Sequence, residues 1–513
     1  MDRLACGAMR SCEVQTRSGV LRGAAEDGLV VLRGAPFAVA PTGARRFEPP
    51  EREAPWKGMR AAEQPGPAAP QRSSLVMRML GLEEVVQDED CLTLQIWTPA
   101  LDARRRPVLV WLHGGAFTSG AGSLPVFDGA SLARRGDVVV VNVNYRLGAL
   151  GFLAHPDRFA RGEIAANYGL LDQIAALEWV HEHAERIGGD PQRVTVFGES
   201  AGAMSIGALL GAPGARGLFQ RAILQSGAAH NVSPREGALR IAALFRDAAG
   251  RAEADLQALR ALPVEAVLAA QQQVVAASWK HVEGLAFQPS VDGNVVPRAP
   301  LDAVGDGAAP GVAVLIGTNL DEWRLFGLAD SKLRDMDEAA LLRRLVRVPP
   351  GATADPQQLA AEAVDVYRRA RSGVSQVDPA SLWLAMQTDR VFRVPAIRLA
   401  ECQLRHAPVF MYRFDWPSPA LGGLLGACHG LEVPFVFGTL DDERAGDLVG
   451  RGPAARALSE QMQDAWIGFA SHGDPGWPAY DCERRATYRF AARCEVEFDP
   501  MPEERRFWDG FLR

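Results

Sequence analysis

No run of about 18 apolar residues occurs in the chain, so no segment reads as a membrane span. Met1 to Arg17 lacks a basic segment followed by an apolar run, so no secretory leader is expected. Cysteine is scarce: seven in 513 residues, at 6, 12, 91, 402, 428, 482 and 494. They are scattered, odd in number and form no C-x-x-C pair, which argues against a zinc site or a dense disulfide framework. The 62 acidic residues outnumber the 55 basic ones and leave a net charge of −7, which disfavours nucleic acid or an anionic membrane as the main partner. No Gly/Ser or Pro tract, charge block or internal repeat marks a linker. The expectation is one large domain over 1–513 in a reducing, cytoplasmic compartment. Composition leaves the oligomeric state open.

What the chain does have is a recurring strand-then-helix pattern. Arg106 to Leu112 and Val138 to Val143 are nearly continuous apolar runs, ending in His113-Gly114-Gly115-Ala116-Phe117 and Asn144-Tyr145-Arg146. Residues 168–187 have helical spacing, with Leu170, Leu171, Ile174, Leu177, Val180 and His181 on one face. Residues 13–22 read as a hairpin about Arg17-Ser18-Gly19, and further strands fit 29–39, 91–97, 194–197, 221–224, 312–317, 408–414 and 496–498. Continuous apolar strands alternating with helices predict an α/β fold, a central, mostly parallel twisted sheet flanked by helices. Ligands of such sheets gather at the carboxyl ends of the strands. Two Ala/Leu-rich helical stretches, 234–277 and 335–372, interrupt the pattern. They read equally well as surface helices that finish the core and as cap insertions shaping a pocket.

At one strand end lies Gly198-Glu199-Ser200-Ala201-Gly202, the only G-x-S-x-G in the chain. Val194 to Phe197 before it suits a buried strand, and the small residues from Ala201 suit a helix. A serine in such a tight turn is held in a strained backbone with its hydroxyl clear of the sheet edge, and the helix N-terminus behind it favours negative charge. A serine hydroxyl needs a base to take its proton, usually a histidine oriented by a carboxylate, and in this architecture the chain order is Ser, acid, His. Glu322, with Asp321 as its neighbour and competitor, follows the 312–317 strand. His406, His429 and His472 lie beyond. His406 precedes a strand and His472 ends a helix, whereas His429 lies on a loop after the 408–414 strand, so topology favours His429. Attack on an ester carbonyl creates an oxyanion. Gly114, Gly115 and Ala116, at the same sheet edge, can present backbone N–H groups to it, with Ala201 N–H as a further donor. Cys428, beside His429, reads as a small packing residue.

These segments together resemble the type-B carboxylesterases of the α/β-hydrolase fold. The similarity runs through Arg46-Phe47, Glu89-Asp90-Cys91-Leu92, Trp111 to Phe117, Asn144 to Gly148, Asn167 to Gln173, Phe197 to Gly202, Leu224 to Gly227, Asp321-Glu322 and His429 to Gly438. The resemblance implies a serine esterase of small-molecule carboxylic esters, working without metal or cofactor. It implies Ser200 as nucleophile, Glu322 rather than Asp321 as acid, His429 as base, and Gly115, Ala116 and Ala201 as oxyanion donors. Glu199 and Ser226 are expected close behind them, Arg46 and Glu89 in a buried ion pair, and Phe117, Leu285 and Phe287 along the substrate pocket. Where many relatives carry a cysteine bonded to the one in the Glu-Asp-Cys-Leu motif, this chain has Ala69, which leaves Cys91 free. No tryptophan lies between Trp56 and Trp97 to stack on a choline cation, so a choline ester is not expected. The same machinery could act on amides or carbamates. A purely binding role is disfavoured because every triad position is filled, and interface-activated lipase behaviour would need a lid that the sequence does not distinguish. Activity is expected to fall below roughly pH 6 to 7 as the histidine protonates.

Overall fold

Side chains alternate across a strand, so residues 108, 110 and 112 face one way and 109 and 111 the other. Both sets are buried, which requires a layer on each face of the sheet. The structure is a computed structural model that describes residues 12–73, 85–251, 255–347, 355–373 and 375–510. Cys6 and most of the N-terminal segment considered above lie outside the described residues, as do 252–254 and 348–354 within the two helical stretches.

Fourteen strands are present among the described residues. They are β1 Glu13–Gln15, β2 Val20–Arg22, β3 Ala24–Glu26, β4 Leu29–Pro36, β5 Met59–Ala61, β6 Thr93–Thr98 and β7 Arg106–Leu112, followed by β8 Val139–Val143 and β9 Gly189–Glu199. The remainder are β10 Arg221–Gln225, β11 Ala313–Asn319, β12 Val409–Phe414, β13 Ala486–Phe490 and β14 Glu495–Phe498. The expected hairpin is β1–β2, which joins β5 in a small separate sheet. The main sheet has eleven strands in the order β14-β13-β12-β11-β10-β9-β7-β8-β6-β4-β3. From β8 to β13 every neighbouring pair is parallel; the pairs at the two edges are antiparallel.

One face of the sheet (Val108, Val110, Leu112, Val141, Val196, Leu224, Ile316) packs under the helices Tyr168–His183 and Ala201–Gly211. The other face (Leu109, Trp111, Val140, Phe197, Ile223, Leu315, Tyr412) meets Leu458, Met462, Trp466 and Phe469 of the helix Pro453–His472. The segment read as a helix over 168–187 tightens into a 3₁₀ turn after His183. His183, not His181, is the buried histidine there; its Nε2 accepts the Arg17 N–H at 2.9 Å. The 234–277 stretch forms helices Arg235–Ala248, Leu256–Arg260 and Val264–Ser278, whose apolar faces join the main core. Helices Glu338–Leu345 and Pro356–Arg371 of the second stretch instead build a separate apolar cluster with Leu382, Met386, Phe507 and Trp508.

A buried ion pair fixes the β8 end to the helix behind it. Arg146 donates from Nε and Nη2 to the two Asp172 oxygens at 2.8 and 2.7 Å, and its backbone N–H adds a third bond at 3.0 Å. Removing one partner strands the other charge in the core. Asp172→Ala is therefore expected to lower stability by about 3–5 kcal/mol, read from urea unfolding.

Candidate active site

The carboxyl ends of β7, β9, β10, β11 and β12 open onto one edge, and the loops there carry the residues singled out by sequence. β9 ends at Glu199, and the helix Ala201–Gly211 starts one residue after Ser200. Ser200 itself has φ 54° and ψ −122°, a conformation that costs a non-glycine residue of order 1–3 kcal/mol. Its N–H donates to the Gln225 carbonyl at 2.9 Å, and its carbonyl accepts the Met204 N–H at 2.8 Å. A side chain on Gly202 would overlap the Leu112 carbonyl oxygen, so only glycine lets the helix start this close to β7.

The His429 ring comes to this serine from a loop 229 positions along the chain, with Nε2 2.8 Å from Ser200 Oγ. On its far side Nδ1 lies 2.7 Å from Glu322 Oε2. Glu322 is fully buried, and its other oxygen accepts the Asn319 N–H at 2.8 Å. Asp321 points elsewhere: its carboxylate accepts the Ala427 N–H at 3.1 Å and pairs with Arg324 at 3.0 Å. His406 bonds the Gly305 carbonyl before β12, and His472 closes a helix. Of the competitors weighed in the sequence, the structure brings Glu322 and His429 to the serine.

The loop after β7 is folded tightly beside them. A Cβ on Gly114 would lie 2.5 Å from Glu199 Oε2 and 3.0 Å from the Glu199 carbonyl oxygen, so a side chain there would displace the Glu199 carboxylate. Gly115, Ala116 and Phe117 all have positive φ (117°, 53° and 59°), and the Gly115 carbonyl accepts the N–H groups of Thr118 and Ser119. The N–H groups of Gly115, Ala116 and Ala201 meet no hydrogen-bond acceptor among the described residues. His113 stacks on Tyr145, whose hydroxyl donates to the His113 carbonyl at 2.7 Å, so the loop is braced from behind.

The carboxylesterase family model matches residues 10–508. The chain belongs to the carboxylesterase family. It is 40% identical to the para-nitrobenzyl esterase of Bacillus subtilis (strain 168) over 96% of this chain and 97% of that one. It is 37% identical to the phenmedipham hydrolase of Pseudarthrobacter oxydans, over 91% and 92%. Among solved structures, the Geobacillus stearothermophilus carboxylesterase at pH 6.2 superposes with a TM-score of 0.85 at 40% identity, covering 97% of this chain and all of that one. The protein is thus a carboxylic ester hydrolase with the α/β-hydrolase fold.

In this carboxylesterase three carboxylates surround one imidazole. Glu199 Oε1 lies 3.1 Å from His429 Nε2, nearer than its expected place behind the site. Burial alone would lower the imidazole pKa, but the Glu199 charge and the Glu322 hydrogen bond outweigh it and push His429 up to about 9. Burial likewise raises Glu199 to about 8, with Glu432 and Glu322 adding to the rise and His429 opposing it. Each charge thus favours the other: the imidazolium holds the Glu199 rise in check, and the Glu199 carboxylate raises the imidazole. His429 therefore sits above the pH 6–7 range expected for an ordinary histidine.

The rings against His429 are Phe392, at 4.7 Å, and Phe326, at 5.1 Å, neither of which the sequence marked. Phe392 rides on a π-helical turn, Asp389–Arg393. Of the residues expected along the pocket, Phe117 is buried edge-on against Phe152, and Phe287 edge-on against Phe245 of the Arg235–Ala248 helix. Leu285 is partly buried against the core. Ser226 lies at the β10 end with φ 52°; its N–H donates to the Gly317 carbonyl, and its buried hydroxyl has no partner among the described residues. The Arg46–Glu89 pair forms as expected, with Nε to Oε1 at 2.7 Å and Nη2 to Oε2 at 2.5 Å. Cys91, Cys402, Cys428, Cys482 and Cys494 are free thiols, and burial pushes Cys91 and Cys428 well above the ordinary thiol value. Among the described residues no group of three His, Cys, Asp or Glu side chains suits a metal ion, and no helix is long and apolar enough to cross a membrane.

Glu199 favours the charged imidazolium, so its neutralisation makes His429 harder to protonate. In Glu199→Gln the acid limb of the kcat/KM profile for ester hydrolysis is expected to move to lower pH by about one unit. A limb that stays in place or rises would show that this carboxylate does not hold the proton on the ring.

Proposed function

We propose that this carboxylesterase hydrolyses small carboxylic esters through an acyl-Ser200 intermediate, with His429 as the base and Glu322 as the acid that orients it. The observation that carries the reading is the unbroken chain from Ser200 Oγ to His429 Nε2 at 2.8 Å and from Nδ1 to Glu322 at 2.7 Å. His429 takes the Ser200 proton as the oxygen attacks the ester carbonyl. The negative charge on the former carbonyl oxygen is met by the N–H groups of Gly115, Ala116 and Ala201 at the helix N-terminus, each such donor being worth roughly 3–4 kcal/mol of barrier. Collapse expels the alcohol, which leaves with the proton held by His429. Water, deprotonated by the same ring, then attacks the acyl-serine and releases the acid. Glu322 keeps the proton on Nδ1 and stabilises the imidazolium formed in each half-reaction. No step calls for a metal or cofactor.

Similarity to a para-nitrobenzyl esterase supports simple aryl-bearing esters as substrates. We read both helical stretches as insertions into one α/β-hydrolase domain rather than separate domains. A reducing, cytoplasmic home fits the buried Cys91 thiol, with Ala69 where relatives carry its partner.

A p-nitrophenyl ester series from acetate to laurate tests the reading. Wild type should turn over the short members, and Ser200→Ala should stay folded while losing at least roughly four orders of magnitude in kcat. Equal turnover by both proteins would remove Ser200 as the nucleophile.

A further inference from the structure

Behind the proposed triad lies a carboxyl group to which the mechanism gives no task. Glu432, three residues after His429, is completely buried and has no cation within ion-pair distance among the described residues. Two side-chain amides converge on it. Gln225 Nε2 donates to Oε1 at 3.1 Å, and Asn319 Nδ2 donates to Oε2 at 2.6 Å. One amide sits at the end of β10, beside the turn that bears Ser200, and the other at the end of β11, three residues before Glu322. The Gln225 carbonyl accepts the Ser200 N–H, and the Asn319 N–H donates to Glu322. Asn319 Nδ2 also donates at 2.7 Å to the carbonyl of Cys428, the residue before His429.

We propose that Glu432 is a positioning residue: its two oxygens tie together the turn bearing Ser200, the strand end bearing Glu322 and the loop bearing His429. This rests on the triad reading above and deepens it.

The polarity of the network leaves one chemical choice at position 432. An indole N–H can only donate, and Trp466 Nε1 donates to Gln225 Oε1 at 3.0 Å, which turns the Gln225 NH₂ toward Glu432. A peptide carbonyl can only accept, so Cys428 fixes the Asn319 NH₂ on the same side. Position 432 must therefore offer two acceptors. Glutamine has the same size but offers one acceptor and one NH₂, so a buried donor would be left facing another donor.

The same carboxyl group belongs to the electrostatic surroundings of the imidazole. Its neighbours are the Glu322 and Glu199 carboxyls, the His429 ring, the Tyr412 phenol and the Cys428 thiol. Burial and the Glu322 charge raise its own pKa, while the Asn319 and Gln225 amides oppose the rise.

The direction of the hydrogen bonds supplies the test. In Glu432→Gln one bond is lost without a change in volume. In the double variant Gln225→Glu with Glu432→Gln, the carboxylate moves one step along the chain and every donor regains an acceptor: Trp466 N–H to Glu, the new Gln NH₂ to Glu, and Asn319 NH₂ to the new Gln oxygen. The measurement is kcat and KM for a short p-nitrophenyl ester, per active site counted from the p-nitrophenol burst, beside wild type and Ser200→Ala. Glu432→Gln should lose about tenfold or more in kcat with KM within about twofold, and the swap should recover most of that loss. A wild-type kcat in Glu432→Gln, or a swap no better than the single variant, overturns the proposal. Should Glu432→Gln fail to fold, the swap still decides it: wild-type-like turnover supports the tie, and a folded but slow swap overturns it. Activity retained in Ser200→Ala overturns the triad reading and this proposal with it. A dead Ser200→Ala beside an unimpaired Glu432→Gln overturns this proposal alone.

Discussion

The backbone of Ser200 is the constraint from which the rest of the site follows. A non-glycine residue at φ 54° and ψ −122° is unstable on its own, so its surroundings must hold it there. They do so from three directions: the Gln225 carbonyl on its N–H, the first turn of the following helix on its carbonyl, and the Leu112 backbone pressed against Gly202. Each restraint comes from a different buried strand or helix. The cost of the turn is spread over a sheet in which β7 and β8 are buried at every position, where a few kcal/mol of local strain are readily offset. What the strain provides is a half-buried hydroxyl beside a helix N-terminus, within hydrogen-bond distance of His429 and with Ala201 N–H free of any helical partner.

Gathering three acidic side chains around one imidazole is the second constraint, and it cuts against stability. Buried carboxylates without cations repel one another and lose solvation. Here Glu322 is stabilised by the imidazole and a backbone N–H, Glu432 by two amides, and Glu199 by its closeness to the ring. In low dielectric such an arrangement favours a positive charge on His429, the form the ring takes in the middle of each half-reaction of the proposed mechanism. The same surroundings act on the resting ring, which they push up to about 9.

How much of this could be read from the chain depended on whether the signal was local. Ser200 stood out because strand, turn and helix are contiguous in sequence. The apolar runs of β7 and β8 announced a two-faced sheet, and loop position alone separated His429 from His406 and His472. Glu322 and Asp321 were indistinguishable by that logic, since both sit on one loop. What separates them is Arg324, three residues on, and the Ala427 N–H, more than 100 positions away, which together hold Asp321 aside. β13, Ala-Thr-Tyr-Arg-Phe, escaped notice because it is short and carries polar residues near the sheet edge. Phe392 was hidden for another reason: a π turn advances side chains by a different angle from an α-helix, so helical spacing does not forecast where its ring points. The Gln225–Glu432–Asn319 tie was invisible because amide orientation is set only once all partners are in place.

The missing disulfide shows how the same segment is held by other means. Around Ala69 the chain pairs its backbone with the segment leading to Cys91, Ala68 N–H to the Val86 carbonyl at 2.8 Å and Asp88 N–H to the Ala68 carbonyl at 3.0 Å. Gln71 then reaches forward: its Oε1 accepts the Gly120 N–H at 2.7 Å and its Nε2 donates to the Gly120 carbonyl at 2.9 Å, just past the loop of Gly115 and Ala116. From the other side Arg46 grips Glu89 with two bonds and the carbonyls of Arg260 and Leu262 with two more. A covalent link would restrain the unfolded chain as well as the folded one. These bonds act in the folded state alone, so they order the neighbourhood of the Gly115–Ala116 loop by geometry and remain intact where a disulfide would be reduced.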